Sequence, residues 1–242
     1  MNVLGIVPAR YASTRFPGKP LAPIAGKPLI QHVVEQCKKA KSLSEVIVAT
    51  DDVRIAGVAK EFCRVEMTRA DHPSGSDRIA EVAVRCQCDA VVNIQGDEPF
   101  IRPEQINLLI SCFTDRSVEI ATLVRKTKYG EDIFNPNQPK VILDTESNAI
   151  YFSRAAIPFI RGSEPADWSK EYTYFKHLGL YAYRTETLKK ITKLPEGLLE
   201  AAESLEQNRW IENGFKIRCA ATEWESIGID TPEDLKRAAS FF

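Results

Sequence analysis

The hydrophobic positions in the first half of the chain alternate between two periods. Short runs rich in β-branched residues have the length of buried strands, and they lie at 2–7, 45–50 and 89–94. Between these runs, segments such as 27–40 and 76–86 place apolar residues at helical spacing. Alternation of this kind predicts an α/β fold with a doubly wound, mainly parallel, Rossmann-like sheet.

The pattern changes after about residue 118. Strand-like runs then follow one another without regular helices between them, at 119–127, 139–145, 149–155 and 177–184. Helical spacing returns at 185–213, and a last strand-like run at 215–222 precedes a terminal helix that Thr231 caps and Pro232 starts. These runs predict a mixed β insertion that forms a second lobe.

We therefore expect a single domain over 1–242 with two parts. The doubly wound sheet takes approximately residues 1–118 and 214–242, and the insertion lobe takes approximately residues 119–213.

Composition narrows the possible partners. The chain has 32 basic and 33 acidic residues, a net charge of −1, so no global field attracts nucleic acid or an anionic membrane. No apolar run approaches the ~18 residues that cross a bilayer, and the N-terminus has no signal-peptide pattern. Six scattered cysteines without a CxxC motif favour reduced thiols in a cytoplasmic protein. We expect no nucleic acid and no membrane insertion.

The segment 8–19 concentrates positive charge directly after the first strand. It carries Arg10, Arg15 and Lys19, and the first acidic residue of the chain is Glu35. Ligands of open parallel sheets bind beyond the carboxyl ends of the strands, and a polyphosphate needs cations and backbone N–H donors there. A triphosphate-binding loop is favoured over a merely solvated basic loop. The segment matches neither GxGxxG nor GxxxxGK[ST], which disfavours a dehydrogenase-type dinucleotide site.

Two acidic residues are candidate magnesium ligands. Asp97 follows the strand at 89–94, and Asp230 precedes the terminal helix. Magnesium prefers one or two carboxylates together with substrate phosphates. Helix capping is the alternative for both residues, ahead of Pro99 in the first case and within 230–235 in the second. Together they predict a two-carboxylate magnesium site facing the basic loop.

Three further groups of residues are candidates for substrate contacts. The turn before the helix at 76–86 could present backbone groups to a base, although helix capping explains it equally well. Arg154 and Arg161 could bind a carboxylate or hydroxyls. His177 and Tyr181 lie on one face of a strand, so both would point into one cleft, although a lone histidine is more often structural.

Taken in order along the chain, these segments resemble a known family over nearly its full length. The motifs are PARYASTRFPGKPL (8–21), VATDD (48–52), MTRADHPSGSDR (67–78), NIQGDEP (93–99), FNPN (134–137), YFSRAAIPF (151–159), HLGLYAYR (177–184), LEQNR (205–209) and DTPEDL (230–235). They are similar to those of the 3-deoxy-manno-octulosonate (Kdo) cytidylyltransferases, or CMP-Kdo synthetases. The first motif is typical of the wider nucleotidyltransferase superfamily, and the third, sixth and seventh narrow the resemblance to Kdo.

The resemblance implies a reaction and an assembly. CMP passes from CTP to Kdo with Mg²⁺, pyrophosphate leaves, and the activated sugar serves lipopolysaccharide synthesis. The fold implied is the nucleotide-diphospho-sugar transferase type, and family members are generally homodimers whose insertion lobe supplies contacts. The lobe at 119–213 would then be the sugar-binding and dimerisation part, and the rest of the chain the nucleotide-binding sheet.

The resemblance also implies a role for each candidate residue. The catalytic residues would be Arg10, Arg15, Lys19, Asp97 and Asp230, the last two as metal ligands. The nucleotide would contact Ala9, Arg10, Ser13, Arg15, Lys19, Ser74, Gly75 and Arg78. The acceptor sugar would contact Gln95, Arg154, Arg161, His177, Tyr181, Glu206 and Gln207.

The sequence leaves two alternatives open. The same transfer could act on an 8-amino Kdo analogue or on sialic acid. A non-catalytic nucleotide-binding protein on the same fold is a different class, and it would require loss of ligands that are all present here. The chain departs from the family pattern at Ser76, where Thr is usual, and at Asn208, where Leu is usual.

Overall fold

A computed structural model describes residues 1–12, 16–225 and 227–241. The chain divides into two compact units, which are described separately. Unit 1 comprises Met1–Ile110, Leu180–Thr192 and Ser226–Phe242, and unit 2 comprises Ser111–Gly179 and Lys193–Glu225.

A strand lies at each of the predicted strand-like runs, and the short strands at Pro23–Ile24 and Lys27–Pro28 were not predicted. The strands of the described residues are Val3–Ala9 (β1), Pro23–Ile24 (β2), Lys27–Pro28 (β3), Glu45–Thr50 (β4), Arg64–Met67 (β5), Ala90–Asn93 (β6), Ile120–Lys126 (β7), Lys140–Leu143 (β8), Ala149–Ser153 (β9), Phe175–Arg184 (β10) and Ile217–Ala221 (β11).

The α-helices of the described residues are Leu29–Cys37 (α1), Val53–Ala59 (α2), Gly75–Cys86 (α3), Pro103–Ser111 (α4), Trp168–Glu171 (α5), Thr185–Ile191 (α6), Leu198–Glu203 (α7), Glu206–Glu212 (α8) and Pro232–Ala238 (α9). Short 3₁₀ turns lie at Lys19–Leu21, Cys112–Thr114, Pro165–Asp167 and Ala239–Phe241. None of the described helices has the length and apolarity of a membrane span.

Unit 1 is built on a mainly parallel sheet, as predicted. Strand β1 pairs in parallel with β4 on one side and with β6 on the other, and β5 adds to β4. The second half of β10 pairs antiparallel with β6. Val3, Leu4, Ile6 and Val7 of β1 are all buried, because parallel strands covered on both faces need continuous apolar runs.

Unit 2 has the predicted mixed β character. Strands β7 and β11 are parallel, whereas β8 is antiparallel to β9 and to the first half of β10. The unit boundaries differ from the predicted limits of 1–118, 119–213 and 214–242. Strand β11 groups with unit 2 because it pairs with β7 there, and residues 180–192 group with unit 1 because β10 pairs with β6. The assignment of nucleotide and sugar binding to the two parts stays a prediction.

Side-chain caps fix the helices that begin near the carboxyl edge of the unit 1 sheet. Asp52 caps α2, and Ser74 caps α3 in a capping box with Asp77. Thr231 caps α9 with Pro232 in the first turn, as predicted. Caps of this kind stabilise a helix by about 1 kcal/mol each, so they define where these loops end.

Candidate active site

The loop after β1 closes on itself through Gly18. The Gly18 N–H donates to the Tyr11 carbonyl at 2.9 Å, with a φ of 72° at the glycine. A Cβ at this position would lie 3.0 Å from the Tyr11 ring, so both the backbone conformation and the close approach require glycine. The predicted phosphate ligands Ser13 and Arg15 lie outside the described residues.

Lys19 joins the two predicted metal ligands. Its Nζ lies 2.5 Å from Asp97 Oδ2 and 3.6 Å from Asp230 Oδ1, and its side chain is 15% exposed. The Asp97 carbonyl accepts the Ile229 N–H at 2.9 Å. Ile229 is itself buried in an apolar cluster with Leu29, so the segment before Asp230 is anchored beside Asp97. Two carboxylates from distant parts of the sequence therefore meet around one cation.

This arrangement fits a magnesium ion in its donor chemistry. Two carboxylates supply hard oxygen ligands, and substrate phosphates supply the rest of a typical magnesium shell. In the structure, the side-chain ammonium group of Lys19 supplies the positive charge between the two carboxylates. Neither carboxylate caps a helix, because Thr231 caps α9 and the next helix after Asp97 begins at Pro103. The segment 230–235 is a helix cap, as the alternative for Asp230 held, but Thr231 and Asp234 form it. The metal-ligand role of Asp97 and Asp230 stays a prediction.

Arg10 lies against the loop that leads into α3. Its Nη2 donates to the carbonyls of His72 and Ser74, the latter at 3.4 Å. His72 in turn contacts Glu81 of α3, with 2.5 Å between Nε2 and Oε2. The pair anchors the carbonyl that Arg10 uses. Sequence reasoning missed His72 and Glu81, which are nine residues apart and meet only because the loop folds back on α3.

The predicted nucleotide contacts around α3 form a capped helix start. Ser74 Oγ accepts the Asp77 N–H at 3.1 Å, as the capping alternative requires. Arg78 is fully buried, donates to Thr68, and forms an ion pair with Asp51 at 3.1 Å. Burial lowers the pKa of Arg78 despite this partner. Its Nε and Nη2 have no hydrogen-bond partner among the described residues.

The loop after β6 passes unusually close to β1. A Cβ on Gly96 would lie 3.1 Å from the Pro8 carbonyl oxygen, which leaves little room for any side chain. Gln95 is half-buried at the start of this loop, and its carbonyl accepts the Glu98 N–H at 3.3 Å. Ala9 is buried at the end of β1 and pairs with Thr50. Gly96 thus lets the chain carry Asp97 across the sheet edge, a role that sequence reasoning did not single out.

In unit 2, Arg154 makes its contacts with the backbone. Its Nε donates to the Glu203 carbonyl at 2.6 Å, and its two Nη atoms donate to the carbonyls of Pro136 and Ser204 at 2.9 and 3.2 Å. Through these bonds Arg154 links the end of β9 to the end of α7. Its predicted contact with the sugar stays a prediction. Arg161 is exposed, and its role also stays a prediction.

Glu203 is another residue that sequence reasoning missed. It accepts hydrogen bonds from the Ser153 hydroxyl at 2.6 Å and from the Arg154 N–H at 2.9 Å. No local pattern marks it, because these contacts link parts of the chain about fifty residues apart.

His177 has a neutral ring in the physiological range. Desolvation lowers its pKa to about 3. Its Nε2 lies 3.1 Å from the Thr122 hydroxyl, and its ring packs edge-on against Phe152 at 4.9 Å between centroids. Tyr181 is buried in unit 1 and stacks with Tyr183. His177 and Tyr181 fall in different units, so their shared cleft stays a prediction.

Gln207 carries a further buried polar group. It lies in the first turn of α8 beside Glu206, is 5% exposed, and its Nε2 has no hydrogen-bond partner among the described residues. A buried amide donor without a partner is costly unless a ligand or water satisfies it. This fits the predicted contact with a polar substrate.

The fold and the carboxylate pair together define the class of protein. Residues 4–217 match the model of the cytidylyltransferase family, and the chain is a nucleotidyltransferase of this kind. A 4-diphosphocytidyl-2C-methyl-D-erythritol synthase from Anaerococcus prevotii, 14% identical with a TM-score of 0.66, shares the fold.

More similar relatives identify the family. The 3-deoxy-manno-octulosonate cytidylyltransferases of Parabacteroides distasonis and Bacteroides thetaiotaomicron are each 54% identical to this chain, covering 100% of it and 98% of their own length. The structure of a CMP:2-keto-3-deoxy-manno-octonic acid synthetase complexed with CTP matches with a TM-score of 0.93 and 39% identity, covering 100% of this chain and 98% of that one. The chain belongs to the 3-deoxy-manno-octulosonate cytidylyltransferase family.

Proposed function

We propose that this protein transfers CMP from CTP to Kdo and releases pyrophosphate. The observation that carries the proposal is the meeting of Asp97, Asp230 and Lys19 at the carboxyl edge of a parallel sheet. The relatives named for this reaction, similar over their full length, support the choice of nucleotide and sugar.

The proposed chemistry is an in-line phosphoryl substitution. The anomeric hydroxyl of Kdo attacks the α-phosphorus, a P–O bond to the sugar forms, and the P–O bond to pyrophosphate breaks. Negative charge grows on the leaving and bridging oxygens, so positioned cations contribute most of the rate enhancement. Lys19 and Arg10 supply fixed positive charge beside the loop after β1, and Arg15 is expected to add to it.

Magnesium has a defined place in this proposal. Asp97 and Asp230 would hold it, and Lys19 would then turn from the carboxylates to the phosphates. When bound, the ion neutralises phosphate charge and lowers the pKa of an oxygen ligand, so a separate general base need not be invoked. Because the His177 ring is neutral at physiological pH, it would bind the acceptor by hydrogen bonding and not as a cation.

The acceptor contacts and the nucleotide contacts remain part of the proposal. Gln207 has the strongest support among the sugar contacts, because its amide nitrogen is buried without a partner in the described part of the chain. Arg78 has similar support as a nucleotide contact through Nε and Nη2. The 8-amino Kdo analogue and sialic acid are less favoured acceptors, since the relatives are named for 3-deoxy-manno-octulosonate.

We further propose that the protein is a cytoplasmic homodimer that supplies activated sugar for lipopolysaccharide synthesis. All six cysteines are free thiols, which fits a reducing compartment. Two exposed aromatic side chains of unit 2, Phe159 and Phe134, pack on the buried Trp168 ring with centroid distances of 4.9 and 5.6 Å. An exposed aromatic patch of this kind fits a partner surface. Analytical ultracentrifugation tests the dimer, and a monomer at all concentrations would contradict it.

Pyrophosphate release tests the proposed function. Purified protein is incubated with CTP, Kdo and Mg²⁺, and each component is omitted in turn. Release is expected only in the complete mixture. Folded protein that binds CTP but releases no pyrophosphate in the complete mixture would favour a non-catalytic nucleotide-binding protein instead.

A further inference from the structure

Tyr11 connects the loop after β1 to the start of α2. Its backbone carbonyl accepts the Gly18 N–H at 2.9 Å. Its half-buried ring lies under the guanidinium group of Arg54, with 3.3 Å between the ring centroid and Cζ. Arg54 belongs to the first turn of α2. One tyrosine is therefore held twice, at its carbonyl by the loop and at its ring by the helix.

Asp52 holds the Arg54 guanidinium group in place over this ring. Arg54 Nε donates to Asp52 Oδ1 at 3.0 Å, and Nη2 donates to Oδ2 at 2.6 Å, so the ion pair is bidentate. The same carboxylate caps α2 by accepting the backbone N–H groups of Arg54 and Ile55. The side-chain hydrogen bond from Arg54 lowers the pKa of Asp52 to about 2, so both groups are charged at neutral pH. The helix start therefore orients the guanidinium group.

The two contacts of Tyr11 lie between two predicted phosphate-binding cations. Arg10 directly precedes Tyr11, and Lys19 directly follows Gly18. Helix α2 also contacts the turn at Lys19–Leu21. Any displacement of Tyr11 therefore moves the backbone that carries both cations. Groups that are held in place before a ligand arrives bind it more tightly, because less conformational freedom is lost on binding.

Arg54 itself is poorly placed to bind a phosphate directly. Its charge is neutralised by Asp52 at 2.6 Å, and the Tyr11 ring covers one face of its guanidinium group. A phosphate would have to displace the carboxylate from two hydrogen bonds. These contacts favour an arginine that acts through Tyr11.

We propose that Arg54 is a positioning residue for the triphosphate of the nucleotide. Its guanidinium group holds the Tyr11 ring, so that the hydrogen bond between Gly18 and Tyr11 keeps Arg10 and Lys19 at a fixed separation. The identity of the nucleotide rests on the proposed function, whereas the geometry rests on contacts within unit 1.

Steady-state kinetics of Arg54→Gln test the proposal, with Arg64→Gln as the matched control. Arg64 begins β5, is comparably exposed, and donates to Glu66, also two residues away. It has no aromatic ring against it in the described part of the chain. For Arg54→Gln we expect the KM for CTP to rise about fivefold, the upper range for an exposed cation–π contact. The KM for Kdo should stay within about twofold, and Arg64→Gln should match wild type in both constants.

A double-mutant cycle with Tyr11 separates positioning from direct contact with the nucleotide. Tyr11→Leu removes the ring and should raise the KM for CTP as Arg54→Gln does, whereas Tyr11→Phe keeps the ring and should stay near wild type. The combined variant Arg54→Gln, Tyr11→Leu should show no more than the larger single effect, because both changes break one contact. Effects that multiply in the combined variant would overturn the inference, since Arg54 would then act without Tyr11.

Hydrogen exchange of the Gly18 amide, measured by NMR without nucleotide, tests the geometry apart from the reaction. Arg54→Gln should speed this exchange about fivefold, because it loosens the residue whose carbonyl accepts the Gly18 N–H. Arg64→Gln should leave the exchange unchanged. Unchanged Gly18 exchange in folded Arg54→Gln would overturn the inference. A wild-type protein that releases no pyrophosphate from CTP would overturn the proposed function, while the exchange comparison still decides the positioning role.

Discussion

Replacing Lys19 by methionine should allow the two carboxylates around it to bind a divalent cation more tightly in the absence of nucleotide. Methionine keeps the length of the side chain and removes the ammonium group that lies 2.5 Å from Asp97 and 3.6 Å from Asp230. In wild type, a metal ion must displace this ammonium group before both carboxylates can bind it.

The structure sets the size of the effect. At 2.5 Å and the dielectric constant of water, Coulomb attraction between Lys19 and Asp97 amounts to about 1.7 kcal/mol. The Asp97 and Asp230 side chains are 27% and 50% exposed, so salt screening and side-chain ordering offset part of this attraction. A net competition of about 1.4 kcal/mol corresponds to about tenfold tighter metal binding in Lys19→Met.

Electron paramagnetic resonance of free Mn²⁺ measures this affinity without any turnover. Titrations at low salt compare wild type, Lys19→Met and Lys27→Met. Lys27 is the control, because it forms an exposed ion pair with Glu35 at 2.8 Å away from the proposed metal ligands. Adding Asp97→Asn to Lys19→Met should abolish the gain. Equal Mn²⁺ affinity in wild type and Lys19→Met, or a gain that survives Asp97→Asn, would refute the reasoning.

Three other predictions concern different parts of the account. Asp97→Asn should lower the rate of pyrophosphate release at least ~100-fold, because one electrostatic contact of this kind is worth several kcal/mol in the transition state; unchanged turnover would exclude Asp97 as a metal ligand. The pKa of His177 falls from 6.5 in the unfolded chain to about 3 in the folded one, so the unfolded chain binds more protons as pH drops below 6.5 and stability falls. Between pH 7 and pH 5, the unfolding free energy measured by urea titration should therefore fall by about 2 kcal/mol less in His177→Asn than in wild type. An equal fall in the two proteins would contradict the pKa. Gly96→Ala should lower kcat about tenfold, because the added Cβ would lie 3.1 Å from the Pro8 carbonyl oxygen and would displace the loop that carries Asp97. Gly57→Ala, whose Cβ would meet nothing within 4 Å, should leave kcat unchanged, and matching kcat values for the two variants would show that the loop adapts.

The sequence predicted those features of the site that local patterns carry. Strand length, helical spacing and the break after about residue 118 are local, and they gave the mainly parallel sheet and the mixed β part. Asp97 and Asp230 were also paired as candidate magnesium ligands, from their carboxylate chemistry and from the position of Asp97 just past a buried strand.

The partners within the site were not predictable in the same way. The position of Lys19 between the two carboxylates depends on the Gly18 turn and on how the Ile229 segment packs. Arg78 and Asn208 are polar residues on amphipathic helices, and nothing in their spacing shows that each is fully buried with a specific partner. Such pairings form only when distant elements meet, so periodicity carries no signal for them.

The choice of acceptor is tested most directly by competition among acidic sugars. The protein is incubated with CTP, Mg²⁺ and equal concentrations of Kdo, its 8-amino analogue and sialic acid. The nucleotide sugars are then separated, identified and quantified by mass spectrometry. We expect CMP-Kdo as the dominant product, formed together with pyrophosphate. Dominant transfer to either of the other sugars, or no CMP-sugar at all from folded protein, would contradict it.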